Sequence, residues 1–204
     1  MYHKSIVRGI LSYKVNVVIK ILILSDFLVF SAVNLFSPVF AIFVEDRIWG
    51  AGLKTVGIAT TLYFIFKAVA EMPIGAWLDK TKSEVRDLGC ALGGTLAMAL
   101  VYFSYIFIDT TWELFLAQAI LGLAAAFAFP SWYILFTRHV DEKKEGVEWS
   151  LYDVSMGIGI GAAATLGAFI ADYYGFNTLF ITVGCITVVG SLLLLTIRRR
   201  LKTI

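Results

Sequence analysis

Lys67 and Glu71 are the first residues whose type and spacing suggest chemistry, because both are ionisable and both lie inside a long apolar segment. Four positions separate them, so a helix places them on one face, one turn apart. A charge in a bilayer costs about 2.5–3.5 kcal/mol, so such residues usually face a protein interior or a water-filled cavity. Two interpretations stay open: a neutralised structural pair, or a site for a substrate or an ion.

A second group of polar residues lies in the first apolar segment of the chain. In a helix, Asp26 lies about 10 Å from Lys20, and Ser31 and Asn34 give the same segment a polar face. We predict that Asp26 and Asn34 join Lys67 and Glu71 in a substrate or proton site. The alternatives for Asp26 are that it packs against the lysine or serves as a simple substrate ligand.

The composition indicates which solvent surrounds these residues. Of the 204 residues, 59% are hydrophobic and 16% are charged, and the mean hydropathy is +0.84. A soluble domain has about 25% charged residues. The chain is therefore predicted to be an integral membrane protein that contacts the lipid bilayer. A net charge of +2, with basic residues at the ends of apolar segments, gives no surface for nucleic acid.

Six apolar segments are long enough to span a bilayer, and an isolated segment in lipid must be helical to satisfy its own backbone. They are Lys20–Val44, Thr55–Leu78, Leu88–Ile108, Thr111–Thr137, Trp149–Ala171 and Phe176–Ile197. The predicted organisation is thus an all-α, six-span domain over residues 20–197. Residues 1–19 form a cytoplasmic tail or interfacial segment, and residues 198–204 form a basic cytoplasmic tail.

The basic residues predict the orientation of these spans. With the N-terminus inside, 14 of the 17 Lys and Arg residues fall on the cytoplasmic side and only Arg47 and Lys54 fall outside. Cytoplasmic loops of membrane proteins carry such an excess. Both termini are therefore expected in the cytoplasm.

The sequence gives no sign of an enzyme, a metal site or a cofactor. Its two histidines, His3 and His139, lie in predicted cytoplasmic segments, and Cys90 and Cys185 lie in separate apolar segments. These residues are too few and too scattered for a metal centre or a serine–histidine arrangement. No phosphate-binding loop is present either.

Three motifs together resemble the major facilitator superfamily. Residues 75–80, GAWLDK, resemble the start of its signature G-x-L-a-D-R between spans 2 and 3. Residues 118–126, QAILGLAAA, are similar to its span 4 motif, with Gln118 in the position of the family arginine. The glycine-rich residues 157–167 and the motif GFNTLF at residues 175–180 resemble its span 5 and the start of span 6.

The resemblance implies a six-helix half of a fold that normally has two such halves, related by an axis along the membrane normal. A parallel homodimer is the simplest complete assembly, and pairing with a different half-size chain is the alternative. In the family, spans 1, 2, 4 and 5 face the cavity, which adds Gln118 to the candidate site, while spans 3 and 6 are peripheral.

The resemblance also implies a cytoplasmic gate. Its expected residues are Gly75, Asp79, Lys80, Arg138 and Asp153, with Asp79 meeting an arginine, Arg138 above all, and a helix N-terminus of the other half. Asp153 has an alternative role, because residues 150–153 fit a capping box at the start of a helix.

The implied function is secondary active transport of a small organic solute by alternating access, in the cell (inner) membrane. Proton coupling through Asp26 and Glu71 is a further expectation, because burial favours a protonated carboxyl and a nearby lysine favours the ionised form. The competing hypothesis is a non-transporting membrane scaffold or accessory subunit.

Overall fold

The computed structural model describes residues 15–80 and 82–201. Within those ranges the regular structure is entirely helical. The helices are α1 (Val17–Phe36), α2 (Phe40–Arg47), α3 (Leu53–Asp79), α4 (Glu84–Ser104), α5 (Thr111–His139) and α6 (Glu145–Leu193). Three short 3-10 segments follow α1, α4 and α6, at Ser37–Val39, Tyr105–Phe107 and Leu194–Arg200. The expectations for residues 1–14 and 202–204 lie outside the described residues.

Polar side chains determine where several helices begin. Asn16 accepts a hydrogen bond from the Val18 amide at 2.9 Å, so α1 starts at Val17 instead of the predicted Lys20. At α5, Glu113 accepts from the Thr110 amide at 3.0 Å, and the Thr110 hydroxyl accepts from the Glu113 amide at 3.4 Å. This capping box satisfies two amides that would otherwise lack partners.

The first predicted span consists of two helices joined at a proline. Pro38 has no amide hydrogen to donate, and the helix tightens to a 3-10 turn at Ser37–Val39 before α2 begins at Phe40. Residues 17–47 nevertheless form one stretch that is apolar and long enough to cross a membrane.

Five helical stretches of the described chain are long and apolar enough to cross a membrane: Val17–Arg47, Leu53–Asp79, Glu84–Phe107, Thr111–His139 and Glu145–Arg200. Four of them match predicted spans 1 to 4. The fifth has 56 residues and covers the last two predicted spans. A straight helix of that length would measure about 80 Å, far more than the roughly 30 Å of a hydrocarbon core.

Gly175 breaks this long helix. Its φ of 80° and ψ of 166° lie outside the helical region and in backbone space that favours glycine. On both sides of Gly175, α6 contacts α1, through the pairs Phe27–Gly159, Leu35–Gly167, Ser25–Gly190 and Phe36–Phe180. From Phe27 to Leu35 of α1, the contacting residue of α6 moves forward along the chain, from Gly159 to Gly167. From Ser25 to Phe36, the contacting residue after the break moves backward, from Gly190 to Phe180. The two parts of α6 therefore run in opposite directions.

An aromatic cluster joins α1 and α2 to the part of α6 that follows Gly175. Phe43 of α2 and Phe36 of α1 lie 4.8 Å and 5.0 Å from the Phe180 ring, measured between centroids. Tyr105 stacks on the same ring at 5.2 Å and is fully buried. Rings at these distances add to the stability that burial alone provides.

The helix α3 is the least buried of the long helices. Of its 27 residues, only Ala59 and Leu78 are buried, and it packs mainly against α5. Val69 and Met72 are 71% and 82% exposed. Most of the α3 surface therefore has no partner within the described chain.

The start of α6 corrects one expectation. The helix begins at Glu145, with Lys144 as its N-cap residue, and Ser150 and Asp153 lie inside it. The interpretation of residues 150–153 as a capping box is therefore wrong, because a helix already in progress needs no cap there. Asp153 is exposed on its surface.

Candidate functional site

A cavity of about 550 Å³ opens between α1, α2, α3, α4 and α5. Its polar lining comes from Asn34, Ser37, Thr60, Tyr63, Lys67, Tyr102 and Gln118. Its aromatic lining comes from Phe30, Phe36, Phe40, Phe64 and Phe129. A volume of this size, with mostly apolar walls and a few polar groups, is typical of a small-molecule site.

Lys67 lies at this cavity and forms the predicted ion pair. Its Nζ is 3.6 Å from Glu71 Oε2 and 4.9 Å from the centroid of the Phe129 ring. The side chains of Lys67 and Glu71 are 23% and 33% exposed. The expectation that the two residues share a helix face is confirmed, and Lys67 presents its charge to the cavity.

Gly122 positions Lys67 by letting α5 touch the α3 backbone. A Cβ atom at Gly122 would collide with the carbonyl oxygen of Tyr63 and lie 3.1 Å from the Lys67 amide nitrogen. Small residues allow such close approach of helices in membranes. The predicted span 4 motif, which contains this glycine, therefore determines where the lysine lies.

Asn34 and Gln118 also line the cavity, as the candidate site requires. Asn34 donates a hydrogen bond to the Phe30 carbonyl at 2.8 Å, within its own helix. Gln118 is buried and donates to the Tyr105 hydroxyl at 3.0 Å. Predicted span 3, expected to be peripheral, contributes Met98 and Tyr102 to the lining, whereas predicted span 5 contributes nothing.

Asp26 lies apart from this cavity. It is 6% exposed, and its Oδ2 accepts a hydrogen bond from the Tyr152 hydroxyl at 2.8 Å. The partner of Asp26 is thus Tyr152 of α6 and not Lys67, which was the alternative expected from the sequence.

The residues predicted for a cytoplasmic gate do not meet one another within the described chain. Gly75 is half-buried, and Asp79 and Lys80 are exposed at the end of α3. Arg138 points elsewhere: its Nη1 lies 2.6 Å from Asp87 Oδ2. Arg138 thus pairs with Asp87 within the chain, and its meeting with Asp79 in a closed, two-half assembly stays a prediction.

Asp87 is the residue of this region that the sequence patterns did not single out. It is completely buried and accepts hydrogen bonds from Arg138 at 2.6 Å and from Arg86 Nη2 at 2.9 Å. Arg86 also donates to the Leu78 carbonyl and covers the Trp77 ring at 4.9 Å. These contacts join the end of α3, the start of α4 and the end of α5.

Known proteins are similar to this sequence over most of its length. The sequence profile of the Major Facilitator Superfamily matches residues 22–203. The multidrug resistance protein MdtG of Proteus mirabilis (strain HI4320) is 29% identical over 163 residues, which are 76% of this chain and 38% of that protein. MdtG of Citrobacter koseri (strain ATCC BAA-895 / CDC 4225-83 / SGSC4696) is 28% identical over 177 residues, 84% of this chain and 42% of that protein.

The fold itself matches a solved transporter. The crystal structure of the POT family transporter PepTSo superposes with a TM-score of 0.73 at 13% identity, over 94% of this chain and 39% of that one. The chain thus spans about two-fifths of the length of these relatives. With its helical fold, its membrane-crossing stretches and a profile match over nearly its whole length, this integral, multi-pass membrane protein belongs to the major facilitator superfamily.

Proposed function

We propose that the chain is one half of a secondary transporter that moves a small organic solute by alternating access. The observation that carries this proposal is the cavity beside Lys67, which combines aromatic walls, amide groups and one cation. Such a cavity suits a solute with an apolar body and a few polar groups. The MdtG relatives are named as multidrug resistance proteins, which favours drug-like compounds as the first solutes to test.

The open surface of α3 supports a second half. Lys67 and Glu71 are partly exposed on a helix with two buried residues, and Asp153 is exposed on α6. Charges in a membrane rarely face lipid, because hydrocarbon does not solvate them. A partner that places protein or a water-filled cavity against these faces removes that cost.

The proposed partner is a second copy of this chain. The family's halves are parallel repeats, so two copies related by an axis along the membrane normal would rebuild the complete architecture. In this proposal each copy crosses the membrane six times, and the sixth span begins after Gly175. Both termini lie in the cytoplasm, and the protein is located in the cell (inner) membrane. A different half-size partner, and an accessory role without transport, are the competing outcomes.

Transport is tested with purified protein in proteoliposomes, after a thermal-stability screen against metabolites and drugs at two pH values. The transporter hypothesis requires a solute that stabilises the protein and is also taken up. Stabilisation by no solute, together with no flux of any drug tested, would favour the accessory subunit.

Asp26→Asn and Glu71→Gln are each expected to abolish flux driven by a pH gradient and to leave counterflow exchange largely intact. The reason is that each substitution removes an acid that can carry the coupled proton across the cycle. Uptake into proteoliposomes with and without a pH gradient measures both. Flux that persists in both variants with the same pH dependence would refute proton coupling through these acids, though not transport.

Asp79→Asn is expected to shift the assembled protein toward its inward-open form without changing the stability of a single chain. Asp79 is exposed at the end of α3, and in our proposal it meets the N-terminal end of α6 of the second copy, where an acid is favoured by about 0.3–1 kcal/mol. Labelling of cavity cysteines from either side of the membrane measures the shift. Unchanged labelling would remove Asp79 from the gate.

A further inference from the structure

We propose that the cavity selects aromatic organic anions and that Lys67 is the residue that recognises their acidic group. This inference rests on the proposed function for the location of the solute, and it adds the chemical class. Among the described residues that line the cavity, Lys67 is the one that carries a charge. Glu71 and Asp26 are not part of the lining.

The ammonium group of Lys67 is short of hydrogen-bond acceptors. Its distance to Glu71 Oε2 is 3.6 Å, which is too long for a hydrogen bond, and its other neighbour is the face of Phe129. An ammonium group has three N–H donors. Within the described part of the chain, none of the three donates a hydrogen bond. The cavity therefore contains one positively charged group whose three donors are available to a solute.

The walls around this charge suit a flat apolar body. Phe30 and Phe129 lie 5.7 Å apart, and Tyr63 and Phe64 lie 4.9 Å apart, measured between ring centroids. Aromatic side chains pack favourably on other rings in offset or edge-on arrangements. A carboxylate or sulfonate on an aromatic ring would satisfy the Lys67 donors while its ring packs against these phenyl groups.

Glu71 makes the charge preference testable from the opposite side. Its carboxylate competes with an anion for Lys67, and for a cationic solute it would instead be the binding group. Removing the Glu71 charge should therefore strengthen the binding of an anion and weaken the binding of a cation. The two solute classes thus predict opposite effects of the same substitution.

The test uses the full chain in lipid nanodiscs and three matched probes: naphthalene-1-acetate, its neutral alcohol analogue 2-(1-naphthyl)ethanol, and 2-(1-naphthyl)ethylammonium. Calorimetric titration is expected to show the carboxylate binding about tenfold more tightly than the alcohol, as one charge-assisted hydrogen bond would give. Lys67→Gln should erase this preference, Lys67→Arg should retain it, and Glu71→Gln should increase it. Lys54→Gln, on an exposed lysine of the same helix, is the matched control and should change nothing.

Equal binding of the carboxylate and the alcohol, tighter binding of the ammonium probe, or an undiminished preference in Lys67→Gln would each overturn the inference. Failure of the proposed function has a different signature. Lysine-dependent binding of the carboxylate without uptake into proteoliposomes would leave the anion site standing and refute transport of that solute. Uptake of other solutes without any preference for anions would support transport and refute the anion site.

Discussion

Asp87→Asn is expected to destabilise the protein by about 3 kcal/mol, the lower end of the range for breaking a buried ion pair. Asp87 is completely buried between two guanidinium groups, at 2.6 Å from Arg138 and 2.9 Å from Arg86. The substitution leaves two cations without their shared anion. The lower end applies because the arginine side chains are 27% and 21% exposed and keep some access to water.

Thermal unfolding of the purified protein in detergent measures this loss. Asp79→Asn is the matched control, since Asp79 is exposed eight positions earlier in the chain, and its unfolding temperature should stay unchanged. A double-mutant cycle with Arg138→Gln should show strong coupling, because the two residues belong to one network. Equal stability of Asp87→Asn and the parent protein would mean that the cluster does not hold α4 to α5.

Gly94→Ala is expected to destabilise the protein by about 1–3 kcal/mol, as overpacking of a tight contact does. A Cβ atom at Gly94 would lie 2.6 Å from the Ala128 amide nitrogen and 2.7 Å from the Ala124 carbonyl oxygen. Both are backbone atoms of α5, so no side-chain rotation can relieve the collision. The helices α4 and α5 must instead move apart.

The adjacent glycine supplies the control for this prediction. A Cβ atom at Gly93 meets no atom within 4 Å, so Gly93→Ala should be neutral or slightly stabilising, because alanine is a better helix former than glycine. Denaturation by increasing SDS, followed by circular dichroism, compares the two variants. If Gly93→Ala destabilised the protein as much as Gly94→Ala, the close contact between α4 and α5 at Gly94 could not explain the loss.

Local sequence patterns predicted the parts of this fold that depend on local interactions. Hydropathy located the membrane-crossing stretches, because a span needs a run of apolar residues of known length. The spacing of Lys67 and Glu71 predicted their contact, because residues four apart share one face of a helix. The motif that begins at Gly175 likewise predicted a boundary where the helix breaks. The predicted capping box at residues 150–153 failed because α6 had already begun at Glu145, without a side-chain cap to mark its start.

Contacts between distant residues were not predictable in this way. The hydrogen bond from Tyr152 to Asp26 joins residues 126 positions apart, and that from Arg138 to Asp87 joins residues 51 positions apart. Helix periodicity shows that a residue is polar on an apolar helix, but it does not show which helix face lies opposite. Asp87 lies one position before predicted span 3, which begins at Leu88, so it was not among the charges found inside predicted spans. The structure instead begins α4 at Glu84 and buries Asp87 in its first turn.

The central claim, that two parallel copies of this chain form one transporter with α3 against the first part of α6, is tested most directly by cysteine crosslinking in lipid. Two versions of the chain, distinguished by tags of different size, carry Met72→Cys on α3 and Val154→Cys on α6. Both positions are exposed. The native cysteines Cys90 and Cys185 are first replaced in both versions. Leu100→Cys, on the exposed side of α4, is the control for chance collisions. We predict a disulfide between the two tagged chains that joins position 72 of one to position 154 of the other, and none through position 100. Chains that remain monomeric in the bilayer, or that crosslink only through position 100, would contradict the homodimer.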